Sequence, residues 1–171
     1  MKGVLAKTVY MYAARLIVVC VAVASLAACN RELKPADVVL NEDACAQCRM
    51  AVSQIRFAAQ IVEPGGMPFF YDDIGCMFID IAAGARKSGY AAFVADFDTS
   101  AWIPARDAFF VKSGEVKSPM GYGIAAFATK EVCERYATDL GATTLTYDEV
   151  AQHMAAESVY GSDGSAEGSV K

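Results

Sequence analysis

Apolar positions along this chain fall into three patterns, and each predicts a different kind of element. Leu16 to Ala28 is an unbroken run of apolar and small residues. Ile55 to Val62, Met67 to Tyr71 and Tyr90 to Phe97 are short runs of strand composition, and the turn signal Glu63-Pro64-Gly65-Gly66 joins the first two into a hairpin. Between the second and third runs, Met77, Phe78, Ile81 and Ala82 recur at helical spacing. Asp72 or Asp73 stands where a helix cap belongs, so a helix begins near Ile74; Gly84 weakens it and Ser88-Gly89 ends it. The order is ββαβ.

The second half repeats that order. Ala108 to Lys112 and Tyr122 to Phe127 read as strands separated by a loop that starts at Ser113-Gly114-Glu115. Thr129 stands as N-cap for a helix over Lys130 to Leu140, closed by Gly141, and Thr143 to Thr146 supplies a short strand. The pattern predicts an α+β fold of two tandem ββαβ units packed together, followed by a short helix from Tyr147 to Met154. Residue identity between the halves is too weak to establish a duplication, but neither half buries much surface alone, so they should share a core. Trp102 is expected at their junction. The domain then spans 43–154, with subunits of about 43–98 and 99–154. Polar Asn30 to Glu42, with Pro35, makes residues 29–42 a tether. Residues 155–171, rich in Gly, Ser and Ala, are expected to form a disordered tail.

The long apolar run changes the picture of where the protein resides. Lys2, Lys7 and Arg15 precede it with no acidic residue, which is signal-peptide anatomy over residues 1–28, and the run is too short to span a bilayer as a helix. Its end, Leu26-Ala27-Ala28-Cys29, resembles the bacterial lipobox. Cys29 would become the lipidated first residue, anchoring the protein on the periplasmic side of a membrane. Asn30 in place of Asp favours the outer membrane, by analogy with lipoprotein sorting. Removing 28 of the 171 residues leaves 143, enough for one domain or two small subdomains. The leader takes three of 15 basic residues and none of the 20 acidic ones, so the net charge moves from −5 to −8. That acidity argues against a nucleic-acid partner.

Of six cysteines, Cys45, Cys48, Cys76 and Cys133 remain in the body of the chain. Asp43-Ala44-Cys45-Ala46-Gln47-Cys48-Arg49-Met50 sets two thiols and a thioether within six residues, a soft donor set that favours Cu(I) over oxygen-loving ions. Cys48 and Met50 would share one side of an extended segment. The Cys45-x-x-Cys48 spacing admits a dithiol metal clamp, a redox pair or a structural disulfide. Met120, between Pro119 and Gly121, lies on a loop and is a distal ligand candidate. In Asp72-Asp73-Ile74-Gly75-Cys76-Met77, the carboxylates read as helix caps and Cys76 and Met77 as a buried face, with Cys76 a candidate neighbour of the ligands whose part in the set the sequence leaves open. Cys133 reads as core. His153, the only histidine, is an outlying candidate beside Met154.

Four stretches taken together resemble the NosL family of nitrous oxide reductase accessory lipoproteins. They are the Cys29 lipobox, Cys45 to Met50, Tyr71 to Met77, and Trp102-Ile103-Pro104-Ala105 followed by Ser118-Pro119-Met120-Gly121-Tyr122-Gly123. The resemblance implies a monomeric Cu(I) chaperone that supplies the copper-sulfide centre of periplasmic nitrous oxide reductase, and a fold like that of the organomercurial lyase MerB. Carried over by position, the Cys-x-Met ligands are Cys48 and Met50, and the distal methionine is Met120. The full expected metal set is Cys45, Cys48, Met50 and Met120. Two departures stand out: Arg49 occupies a position that is often Gly in the family, and Ala46 one that is often His. If that histidine binds metal in other members, this chain must use another ligand, of which Cys45 is the candidate, or accept a lower coordination number. The implied partners are the reductase apoprotein, the membrane through the lipid, and a copper donor whose identity the sequence leaves open. The competing functions are a thiol-disulfide oxidoreductase, a MerB-like lyase, or a scaffold with all cysteines paired.

Overall fold

A computed structural model describes residues 32–163 of the chain, so the expected signal peptide at 1–28, the lipidated Cys29 and residues 164–171 lie outside it. The first sheet has strand order β2-β1-β3-β4, all antiparallel, with β1 at Ala59–Val62, β2 at Pro68–Tyr71, β3 at Ala91–Ala95 and β4 at Trp102–Pro104. Helix α1, Ile74–Ala82, connects β2 to β3. The second sheet has order β6-β5-β7, with β5 at Phe109–Lys112, β6 at Ile124–Phe127 and β7 at Thr144–Leu145. Helix α2, Lys130–Asp139, follows β6, and α3, Tyr147–Asp163, ends the described chain. These are the two expected ββαβ units.

Strand alternation explains how the units join. In β5 and β6, Phe110, Ile124 and Ala126 face the main core, where they meet Ile61 and Val94 of the first sheet, Ile74, Met77 and Phe78 of α1, and Tyr147, Val150 and Met154 of α3. The alternate residues Val111, Ala125 and Phe127 face a second core with Cys133 and Ala137 of α2. The second sheet is thus apolar on both faces, one covered by the first unit and the other by its own helix. Asp96, just after β3, stitches the sheets. Its carboxylate accepts from the Asp98 and Thr99 amides, the Thr99 hydroxyl and the Ala128 amide beyond β6, while the Phe97 amide donates to Ala126 O at 2.8 Å.

The structure departs from the sequence pattern at four places. Ile55–Phe57 is a 3₁₀ turn, and the strand starts only at Ala59. Trp102 belongs to an added edge strand, β4, paired with β3, and does not serve only as a plug between halves. Helix α3 runs past Met154 to Asp163, because Ala155 and Ala156 favour helix and Glu157 is anchored by Lys112 at 2.8 Å. The expected tail therefore begins as helix. The tether is also shorter than 29–42. Buried Gln60 on β1 accepts from Ala36 N at 2.8 Å and donates to Ala36 O at 3.0 Å, which docks the chain on the sheet face opposite α1. Among the described residues, no helix is long and apolar enough to cross a membrane.

Candidate metal centre

The cysteine segment is a tight antiparallel loop. Asn41 N donates to Val52 O and Val52 N to Asp43 O, both at 2.8 Å, Ala44 bridges Ala51, and Cys45 N donates to Met50 O at 2.7 Å. Arg49 closes the turn: its amide donates to Cys45 O at 3.0 Å and its φ is +68°. Cys48 and Met50 are therefore separated by a left-handed residue, so simple strand alternation, the basis of the sequence reading, does not relate them. Two contacts fix this loop on the first unit. Ala46 N donates to Phe70 O of β2 at 2.8 Å, and Ser53 donates through its amide and hydroxyl to Asp72 Oδ1 at 2.7 and 3.0 Å.

The next residue, Asp73, caps α1. Its Oδ1 accepts from Gly75 N at 3.0 Å, which places Cys76 in the first turn. The Sγ atoms of Cys45, Cys48 and Cys76 all lie within 4.8 Å of one another, and all three thiols are free. With a metal–thiolate bond of about 2.3 Å, a trigonal site would separate its sulfurs by about 4.0 Å, so the cluster is close to the size required. Cys45 and Cys76 are fully buried and Cys48 is half-buried.

The three sulfurs are not equivalent. A hydrogen bond from Cys76, with further support from the backbone N–H groups of Cys48, Asp72 and Gln47, outweighs burial and holds the Cys45 thiol well below the usual range. Cys76 is pushed far up, first by that same bond to Cys45 and then by burial. Burial also raises Cys48, despite a hydrogen bond from Met50 N–H. Cys45 is thus the sulfur that ionises most readily, accepting from the Cys76 thiol, with Cys48 beside them and partly open to solvent. A soft cation would displace protons from the sulfurs it binds, most easily from Cys45.

The two expected thioether ligands lie on different segments, Met50 two residues after Cys48 and Met120 on a loop bonded to Asp73. Met50 is 59% exposed and Met120 is 36% exposed. Met120 lies on the loop after β5, whose backbone bonds to Asp73: Met120 N donates to Oδ2 at 3.0 Å and Ser118 Oγ donates to it at 2.6 Å. Tyr122 packs against Gly75, where an added Cβ would collide with its ring and Cβ atoms. Met120 is thus carried by a loop fastened one turn before Cys76.

Cys76 is the functional candidate that the sequence pattern underrated. It is indeed a buried helical residue, but its sulfur meets residues 31 and 28 positions earlier in the chain. The only local clue was its place in the motif that starts with Asp72 and Asp73. His153 is exposed on α3 and is not part of the sulfur cluster, and Cys133 is buried in the second core as expected.

A family model described as NosL matches residues 37–155. Among solved structures, the fold is similar to the crystal structure of the copper chaperone NosL from Shewanella denitrificans, with a TM-score of 0.59 and 18% identity over 69% of this chain and 96% of that one. Comparison with the curated proteins gives no match.

Proposed function

The chain belongs to the NosL family, and from that footing we propose that it is a lipid-anchored Cu(I) chaperone facing the periplasm, which supplies copper for the copper-sulfide centre of nitrous oxide reductase. The observation that carries the metal reading is the three-sulfur cluster of Cys45, Cys48 and Cys76, reduced and within 4.8 Å. Thiolate donors select soft ions, and a monovalent ion with low coordination number suits a site with so few donors. Cys45 and Cys76 form the buried side of the site. Cys48, Met50 and Met120 form its accessible side, where a neutral thioether can leave without taking up a proton. Transfer proceeds by exchange: an incoming acceptor ligand replaces an exposed thioether, then Cys48, and the ion leaves as Cys76 takes back its proton and donates again to the Cys45 sulfur.

Support for the rest of the reading is sequence-based. The Cys29 lipobox supports the anchor, Asn30 supports the outer membrane, and the family resemblance supports the reductase as acceptor. A Cu(I) competition titration against a chromophoric chelator tests the metal reading. Cys48→Ser and Met50→Ala are expected to weaken binding with the fold intact, and unchanged affinity would overturn it. Mixing the copper-loaded chain with metal-free reductase, separating the two and measuring copper in each tests the acceptor.

A thiol-disulfide oxidoreductase or a lyase would use the same sulfurs. The geometry disfavours exchange with a protein disulfide, because the thiol that ionises readily, Cys45, is buried, and the accessible one, Cys48, is held protonated by its surroundings. Reduction of a test disulfide, or turnover of an organomercurial, at a rate abolished by Cys48→Ser would establish that alternative.

A further inference from the structure

Asp73 carries more than a helix cap requires. Capping uses Oδ1 alone, and Ser, Thr or Asn would do it as well. The second oxygen accepts from Ser118 Oγ at 2.6 Å and Met120 N at 3.0 Å, groups 45 and 47 residues away. The residue is fully buried, and no cation is paired with it among the described residues. Holding a carboxylate there is costly, and burial does raise its pKa. The second ββαβ unit serves as an internal comparison. Its corresponding helix starts after Thr129, which makes no side-chain cap bond at all. The architecture therefore does not demand a buried carboxylate at this junction.

What distinguishes the first unit is that the helix carries Cys76 and the bonded loop carries Met120. We propose that Asp73 is a positioning residue for the metal site, holding the Met120 loop at a fixed place relative to the Cys76 sulfur through Ser118 Oγ and the Met120 amide. The proposal rests on the copper reading above. Ser118 braces the latch from the loop side, since its hydroxyl also accepts from Gly123 N at 2.9 Å. Asp73 touches no cargo itself. It limits where the thioether can go, so the ordering of the loop is already complete before an ion arrives.

The test is a double-mutant cycle on the full chain, read by Cu(I) competition titration and by the sulfur count around copper at its X-ray absorption edge. Asp73→Ser keeps a cap of equal rank and removes the second oxygen. It is expected to lower Cu(I) affinity about tenfold, the scale of lost outer-shell support, and to remove one sulfur neighbour. In a Met120→Leu background the same substitution should change nothing further. Equal losses in both backgrounds, or none in either, would overturn the proposal. Should Asp73→Ser fail to fold, Ser118→Ala leaves the cap untouched and must show the same dependence on Met120. If Met120→Leu alone has no effect while Cys48→Ser weakens binding, the positioning role is wrong and the copper reading stands. If Cys48→Ser has no effect either, the copper reading fails and the proposal falls with it.

Discussion

Arg49 holds a backbone conformation that glycine adopts without cost, and it does so between two expected ligands. Arg49→Gly should therefore stabilise the fold by about 0.5–1 kcal/mol in urea unfolding by relieving that conformation. Gly75 presents the opposite case. Gly75→Ala would set a methyl within 2.6 Å of Tyr122 atoms, and because those include Cβ, the side chain cannot yield by rotating at its tip. We expect a loss of about 1–3 kcal/mol, the usual scale of overpacking, accompanied by new chemical shifts in the 118–123 loop. At this scale the site was partly legible in the sequence. Cys45 and Cys48 announced themselves by softness and spacing. Cys76 did not, because burial on a helix face explained it completely, and its second role arises from a meeting with residues 45 and 48 that no local pattern encodes.

Among the elements, Asp96 shows how a loop residue can join two sheets. Burial opposes its charge, but hydrogen bonds from Thr99, Ala128 and Asp98 outweigh it and hold the carboxyl below the usual range. A carboxyl whose folded pKa is depressed contributes stability above its unfolded value, near 3.9, and loses that contribution as pH falls through the folded value. Wild-type melting temperature should consequently drop below about pH 4 more steeply than that of Asp96→Asn. At neutral pH, Asp96→Ala should cost about 2–3 kcal/mol by chemical denaturation, since the amides beyond β3 and β6 lose a charged acceptor. The elements themselves were read well where two signals agreed. Helix α1 had both a cap and a 3.6-residue period, and the hairpin of β1 and β2 had its turn. Ile55–Phe57 was misread because apolar residues look alike in a strand and in a 3₁₀ turn. Strand β4 was missed because three residues ending in proline pair only by virtue of the edge that β3 offers.

For the whole molecule, α3 ties the units together, since Met154 and Val150 are fully buried in the main core and Lys112 meets both Glu157 and Tyr122 O. Met154→Ala should destabilise by about 2–4 kcal/mol and do so in a single transition, because both units contribute to that core. Two transitions in calorimetry would show that the units melt separately. The sequence could not reveal how far α3 extends, because its later turns are held by a lysine on β5, outside the helix. The clamp of Gln60 on Ala36 has one further consequence. Only six residues lie between Cys29 and Ala36, where the chain is gripped, a contour of about 25 Å at most over the seven steps. If Cys29 is acylated as proposed, the domain would be moored within that radius of the lipid surface, and a recipient would have to meet it there. Cutting the clamp with Gln60→Ala would lengthen the mooring line without altering a single sulfur.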